Sequence, residues 1–460
     1  MVGVSGFDVR RFGPEFRRWV HALDGLGGCA APVMLMGHTL TRDASGAVVH
    51  RFTSADLPFG VLMLPCRNRR ESVCLPCSLL HNGDSFQIVR SGLSGGKGVP
   101  AEVAAHPRAF VTVTAPSFGL VHRARDGGVC RARRDKPVCP HGRALYCGAR
   151  HVAGDPVVGS PLCGECYDWA GLVVWNSSAG GLWWRYVKEL GRELVRLGGL
   201  PVTDHAVREA LRVSYAKVAE FQRRGVAHFH AVVRIDGPEG PGDPAPAWVT
   251  SALLVEAAKA AGPRVSMPVV RLEGPARIGL GVQLDAQEIG AVGADGMTDA
   301  AAASYLAKYI TKDDGRGLIL PRRLLSEAGI EHAARGALVP HARALMHTAW
   351  LLGGLETYAP LRLRQWAHQL GFRGNVVTKS RMYSTTYGEL RRARSEHRAR
   401  ANGIEPIEGE GLARESHWRF VAQGLSPDLR EIADGLAEGT RMRKGPRPEW
   451  LDLPEAGDAA

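Results

Sequence analysis

The 460-residue chain is 45% apolar and carries a formal charge of +12, with a sequence pI near 9.5. That length suffices for one large core or two to three smaller ones, and no run approaches the roughly 18 uninterrupted apolar residues of a membrane span. A positive surplus of this size points to a polyanionic partner, nucleic acid before membrane.

The opening "MVGVSGFDVRRFGPEFRRWV" has no apolar stretch after a basic start, so it does not read as a signal peptide, and a cytoplasmic location is expected. Residues 1–60 read as a short helix, Pro14 to Leu23, followed by loop. Residues 61–170 are rich in cysteine and glycine. Within them "RAFVTVTAPSF" (Arg108–Phe118) is β-branched and bounded by prolines, the pattern of a strand. Helical spacing runs from Gly180 to Leu197. "LRVSYAKVAEFQRRGVAHFHAVVRID" then reads as two strands joined by Arg-Arg-Gly, a hairpin.

A Pro/Gly loop follows from Gly237 to Trp248. Residues 251–262 and 298–312 look helical, and Glu331–Gln369 is helix-rich. Ten basic and two acidic side chains lie between Leu361 and Arg400, an excess suited to phosphates. Beyond Asn402 the balance turns acidic, and the last fifteen residues are expected to be disordered. The expected domains are therefore 1–60, a helix and loop; 61–170, a first core strand with a cysteine-rich module; 171–320, a core with the hairpin and the helix at 298–312; 321–401, a helical basic region suited to DNA; and 402–460, an acidic, partly disordered tail.

Of the nine cysteines, eight fall between Cys66 and Cys166 beside histidines, which favours metal over disulfides. Cys74 and Cys77 form one CxxC knuckle, and Cys163 and Cys166 another. With Cys66, Cys130, Cys139 and Cys147 they can fill one or two tetrahedral Zn²⁺ sites; His81, His141 and His151 are possible substitutes. Cys29 stands apart and is expected to be a free thiol. Arg67, Arg69, Arg70, Arg131, Arg133 and Arg134 lie close to these ligands. The module thus serves either as a grip on duplex DNA or as a structural clamp.

On a strand, His228 and His230 project from one face, while Phe229, Ala231 and Val233 project from the other. Two imidazoles and an oxygen from the preceding strand make a three-ligand site suited to Mg²⁺ or Mn²⁺ against a phosphate. Whether Glu220 or Gln222 supplies that oxygen depends on the hairpin register. In "AAASYLAKYITKDDG", Tyr305 and Tyr309 are about 40° apart on a helix, with Lys312 and Lys308 nearby on the same side. Tyr383 and Tyr387 share the four-residue spacing, but no lysine follows at the matching offset. Phenols beside a divalent cation and ammonium groups suit transesterification of a DNA phosphodiester.

These motifs resemble the HUH endonucleases, in which "HFH" is the metal motif. "YLAKYITK" is similar to the YxxxYxxK helix of two-tyrosine rolling-circle initiators such as the phage gene A proteins, and "FVTVTAPSFG" resembles their first motif. In such relatives a glutamate seven or eight residues before the first histidine completes the metal site, and Glu220 stands eight before His228. "CRNRRESVCLPC", "CPHGRALYCGARH", "PLCGECYDW" and "GFRGNVVTKSRMYSTTYGELR" look like the replication initiators of actinobacterial plasmids and integrative elements.

The resemblance implies an α+β fold, with an antiparallel sheet flanked by helices, a zinc-ribbon-like insertion and a helical C-terminal region. It further implies nicking at a double-strand origin, a 5′-phosphotyrosine intermediate and a free 3′-OH that primes synthesis. Tyr305 and Tyr309 would be the nucleophiles, Lys308 and Lys312 would steady phosphate charge, and Glu220, His228 and His230 would hold the cation. The chain has no GxxxxGK[ST], "SGLSGGKG" being a near miss, so a host helicase and DNA polymerase are expected partners. Two rival readings are an HUH-type single-strand transposase and a non-catalytic zinc-dependent DNA-binding regulator.

Overall fold

The computed structural model describes residues 13–290, 297–311, 317–336, 338–401, 403 and 411–444. They divide into two compact units. The first takes in the chain up to Ile88 and from Thr386 onward; the second comprises Val89–Tyr309 and Asp314–Thr385.

In the first unit the strand Val33–Arg42 pairs antiparallel with Ala413–Gln423, Val48–Thr53 and Leu62–Leu64. The helix Pro14–Gly25 closes on this sheet through Trp19 and Leu23, which cluster with Met63 and Ala433 of the helix Pro427–Lys444. Gly28 makes that approach possible: a Cβ there would lie 2.5 Å from the Ala433 carbonyl oxygen. Two expectations are corrected here. Residues 1–60 are not helix and loop alone, because they carry two strands. Residues 402–460 are not simply a tail, since Ala413–Gln423 completes the sheet through backbone pairing that charge composition does not reveal. The expected disorder of the last fifteen residues falls outside the described residues.

The second unit is built on a six-stranded mixed sheet. Its order is Met297–Thr298, Leu284–Gly290, Arg108–Val113, Ala227–Asp236, Arg212–Phe221 and Val377–Lys379. Only the outermost pair, Met297–Thr298 with Leu284–Gly290, is parallel. All ten positions of the central strand Ala227–Asp236 are buried, so both of its faces are covered. Phe229, Ala231, Val233 and Ile235 enter the core formed by the long helix Trp169–Leu197, whose Trp183 meets the Phe229 ring edge-on at 5.6 Å. The opposite face is polar, carrying His228, His230, Arg234 and Asp236. The α+β class is as the sequence led one to expect.

The hairpin closes through Gln222–Val226, where the Gln222 amide donates to the Val226 carbonyl at 2.9 Å. Gly225 adopts φ +83, and a Cβ there would lie 2.5 Å from Leu345 Cδ1, so the bend favours glycine.

Lys217 sits on the apolar side of its strand, 6% exposed, with Nζ 4.0 Å from the Phe229 ring centroid. Burial pulls its ammonium down to about 8 from an ordinary value near 10.5. Between those values the unfolded chain holds more protons than the folded one, so stability rises with pH in that window. Lys217→Met should therefore stabilise the protein at pH 7 by on the order of 1–3 kcal/mol, and the gain should shrink toward pH 10. Denaturant unfolding at both pH values checks this, and a pH-independent gain would contradict it.

Candidate active site

Backbone pairing sets Glu220 directly opposite His228, and His230 between Val218 on one side and Thr112 on the other. The register thus answers the question the sequence left open. Glu220 shares the histidine face, whereas Gln222 lies in the turn and accepts from Arg224 Nε at 3.0 Å. His228 Nε2 lies 3.0 Å and His230 Nε2 3.3 Å from Glu220 Oε2, and the two nitrogens are 3.1 Å apart.

Three ligand atoms converging at this spacing match neighbouring corners of a coordination shell. With metal–ligand bonds of about 2.1 Å, cis ligands of an octahedron are about 3.0 Å apart. Burial works to raise the Glu220 carboxyl, but its hydrogen bonds to the two histidines outweigh it and hold the group down at about 2. A carboxylate held toward its ionised form beside two imidazole nitrogens could hold a metal ion. Thr112 Oγ1 lies 3.1 Å from His230 Nδ1 and fixes that ring, while His228 Nδ1 is buried without a partner among the described residues.

The tyrosine helix spans Asp299–Thr311 and packs over this face. The half-buried Tyr305 meets the His230 ring edge-on at 5.1 Å and the Phe110 ring at 5.3 Å. Lys308, one turn before the helix ends, is also half-buried. Tyr309 lies in the helix, and Lys312 falls outside the described residues. Asp299 anchors the helix start: its Oδ2 accepts from Arg108 Nη1 at 3.0 Å and from Ser94 Oγ at 2.9 Å.

Tyr383 and Tyr387 are placed elsewhere. Tyr383 is fully buried, donates to the Val89 carbonyl at 2.9 Å, and has its phenol pushed up by burial. Tyr387 is 2.7 Å from Ser85 Oγ, and burial pushes its phenol up to about 12.

Sequence reasoning missed the polar network beyond His230 on the same strand face. Arg234 Nε and Nη2 donate to the two Asp236 oxygens at 2.6 and 2.9 Å. His106 Nδ1 lies 2.8 Å from Asp236 Oδ1, and Ser214 donates to Oδ2 at 2.7 Å. The signal was the recurrence of polar residues at positions 228, 230, 234 and 236, an alternation interrupted by Val232.

The cysteines correct the sequence-based grouping. Cys29 is not a lone thiol: it converges with Cys66, Cys74 and Cys77 in the first unit. Its sulfur lies 3.8 Å from Cys74 and 3.7 Å from Cys77, close to the edge of a Zn–thiolate tetrahedron, about 3.8 Å for bonds of about 2.3 Å. In the second unit, His122, Cys130, Cys147 and His151 form one group, and Cys139, His141, Cys163 and Cys166 another. Three groups replace the one or two sites expected, and all can hold zinc.

His141 and His151 take part as foreseen. His122 was overlooked because it precedes the nearest cysteine by eight residues, and His81 instead packs on the Tyr387 ring at 4.7 Å. Arg131 serves the module's own structure, donating to the Val121 carbonyl at 2.6 Å, and Arg133 pairs with Asp135 at 2.6 Å.

The chain is thus a basic α+β protein with a carboxylate–imidazole group and three cysteine-containing groups, each of which could hold a metal ion. The family described as RepSA, "Replication initiator protein, pSAM2", matches residues 15–438. A Streptomyces ambofaciens protein named "Replication initiator protein" is 39% identical over 444 residues, covering 94% of this chain and 92% of that relative. The chain belongs to the RepSA family of replication initiator proteins. No solved structure matches it. No helix among the described residues is long and apolar enough to cross a membrane.

Asp299→Ala would strand the buried Arg108 guanidinium, and losing one partner of a buried pair costs about 3–5 kcal/mol. Urea unfolding measures the loss; a change below about 1 kcal/mol would place the helix anchor elsewhere.

Proposed function

We propose that this replication initiator cuts and rejoins one strand at a plasmid's double-strand origin through tyrosine transesterification. The reading is supported above all by the convergence of Glu220, His228 and His230 to within 3.3 Å of one another beneath a helix whose Tyr305 lies against His230. Their mixed oxygen and nitrogen donors suit Mg²⁺ or Mn²⁺, which when bound would neutralise charge on the scissile phosphate.

In the step proposed, the phenol gives up its proton as its oxygen attacks phosphorus, the bond to the 3′ oxygen breaks, and that oxygen takes up one proton in turn to leave as a 3′-OH. The DNA 5′ end stays joined to tyrosine. One phosphodiester replaces another, so the bond energy is kept for rejoining. Tyr305 and Tyr309, neighbours on one helical stripe, are the nucleophiles, one starting the cycle and the other ending it. Lys308 and Lys312 steady phosphate charge. Glu220 orients both imidazoles, and Thr112 holds the His230 ring.

The remaining contacts follow from charge. The helix Tyr387–Ala401 is anchored by Arg394 to Asp84 and exposes Arg391, Arg392, Arg398 and Arg400, which would track phosphates. A host helicase would unwind the duplex, and a host polymerase would extend the 3′-OH.

The full chain incubated with single-stranded origin DNA and Mn²⁺ should give a covalent adduct on a denaturing gel. Tyr305→Phe/Tyr309→Phe should abolish the adduct. His228→Ala/His230→Ala should lower it by about 100-fold or more while duplex binding persists. An adduct that survives in the double tyrosine variant would show the nucleophile to be another residue.

A further inference from the structure

The two cysteine–histidine groups of the second unit are interleaved along the chain. Their eight ligands fall into four successive pairs: His122 with Cys130, Cys139 with His141, Cys147 with His151, and Cys163 with Cys166. The first and third pairs converge, as do the second and fourth. Within the first group, Cys130 Sγ is 3.8 Å from His122 Nδ1, and Cys147 Sγ is 3.5 Å from His151 Nε2. Within the second, His141 Nδ1 is 3.2 Å from Cys166 Sγ and 3.8 Å from Cys163 Sγ.

The backbone explains the interleaving. Arg131 and Cys147 exchange two hydrogen bonds of 3.0 Å, making a small hairpin with the first and third pairs at its base. Its tip turns where the Cys139 amide donates to the Arg143 carbonyl at 2.9 Å, and this brings Cys139 and His141 to the fourth pair. Between His122 and Val157 the only buried side chains are Cys130 and Cys139. A segment with so little apolar burial has no core of its own and needs another source of folding energy. Asp155 Oδ2, 2.8 Å from His151 Nδ1, turns the other ring nitrogen toward Cys147, the usual support of a metal-bound imidazole.

We propose that residues 122–166 bind two zinc ions in a cross-braced arrangement that loads as one unit, and that this unit holds the turn joining Glu220 to His228. Each ion ties together segments that the other ion's ligands separate in the chain. Losing either one therefore frees the loops that present the remaining ligands. The link to the turn is direct. Arg223 donates to the Ala153 carbonyl, in the loop that follows His151. His341 lies 3.0 Å from Ser160 Oγ, on the same loop, and 2.7 Å from the Arg223 carbonyl. Arg224 donates to the Pro116 carbonyl, just before the module, at 3.1 Å.

The inference stands apart from the tyrosine chemistry, and its test needs no activity. Native mass spectrometry of the full chain should count three zinc ions, two here and one at Cys29/Cys66/Cys74/Cys77. Cys163→Ser/Cys166→Ser should drop the count to one, whereas Cys29→Ser/Cys74→Ser should leave two. Hydrogen exchange at the Gln222 and Gly225 amides should accelerate at least tenfold in the first variant and stay unchanged in the second.

Should a variant fail to fold, ¹¹³Cd NMR of the cadmium-loaded wild type decides. Three resonances with four, three and two thiolate ligands are expected. Fewer than three ions, another set of thiolate counts, or a Cys163→Ser/Cys166→Ser protein that keeps two ions overturns the cross-brace. Unchanged exchange at the turn in that variant overturns the link to the hairpin.

Discussion

The second unit depends on one cross-strand pairing, Glu220 opposite His228. Side chains alternate with period two along a strand, so a slip of a single residue would turn the carboxylate into the apolar core and leave both imidazoles facing nothing. The register is held from both ends. At one end Gly225 makes a bend whose positive φ favours glycine. At the other, Ser214 and Arg234 close on Asp236 from the two strands. Backbone geometry thus brings the three side chains together, which limits the rearrangement that binding a cation there would need.

The same strand shows how two incompatible demands are met in ten residues. Its apolar face is packed against the long helix Trp169–Leu197. Its polar face buries two imidazoles, a guanidinium and a carboxylate, each with partners drawn from neighbouring elements. Buried charge of this kind contributes little net stability compared with an apolar substitute. Its presence is understood as the support of a site rather than of the fold. Arg108 and Asp299 extend that support to the tyrosine helix, so the helix and the histidines are fixed to adjoining strands of one sheet.

Elsewhere metal ligands take the place of a core. The segment from His122 to Val157 fully buries only Cys130 and Cys139, and both belong to the groups that could hold a metal ion. Cys29, Cys66, Cys74 and Cys77 sit differently, beside Ala30 and the partly buried Leu26 and Val73. There the cysteines themselves make up most of the buried cluster, which joins the N-terminal segment to the start of the helix Leu75–Ser94.

The sequence by itself determined what depends on short-range periodicity. The hairpin, the shared face of His228 and His230, the tyrosine helix and the capacity of the cysteines to form groups that could hold zinc were all legible, because each is written in the spacing of neighbouring residues. Tertiary structure decided what depends on contacts between distant segments. Glu220 rather than Gln222 faces the histidines, Cys29 completes a tetrad 37 residues before Cys66, and His122 joins Cys130 across the gap. Ala413–Gln423 forms a strand because the distant Val33–Arg42 offers an edge to pair with. Spacing along a chain encodes the direction in which a side chain points. What it meets there is set by the closure of loops, and no local pattern records that.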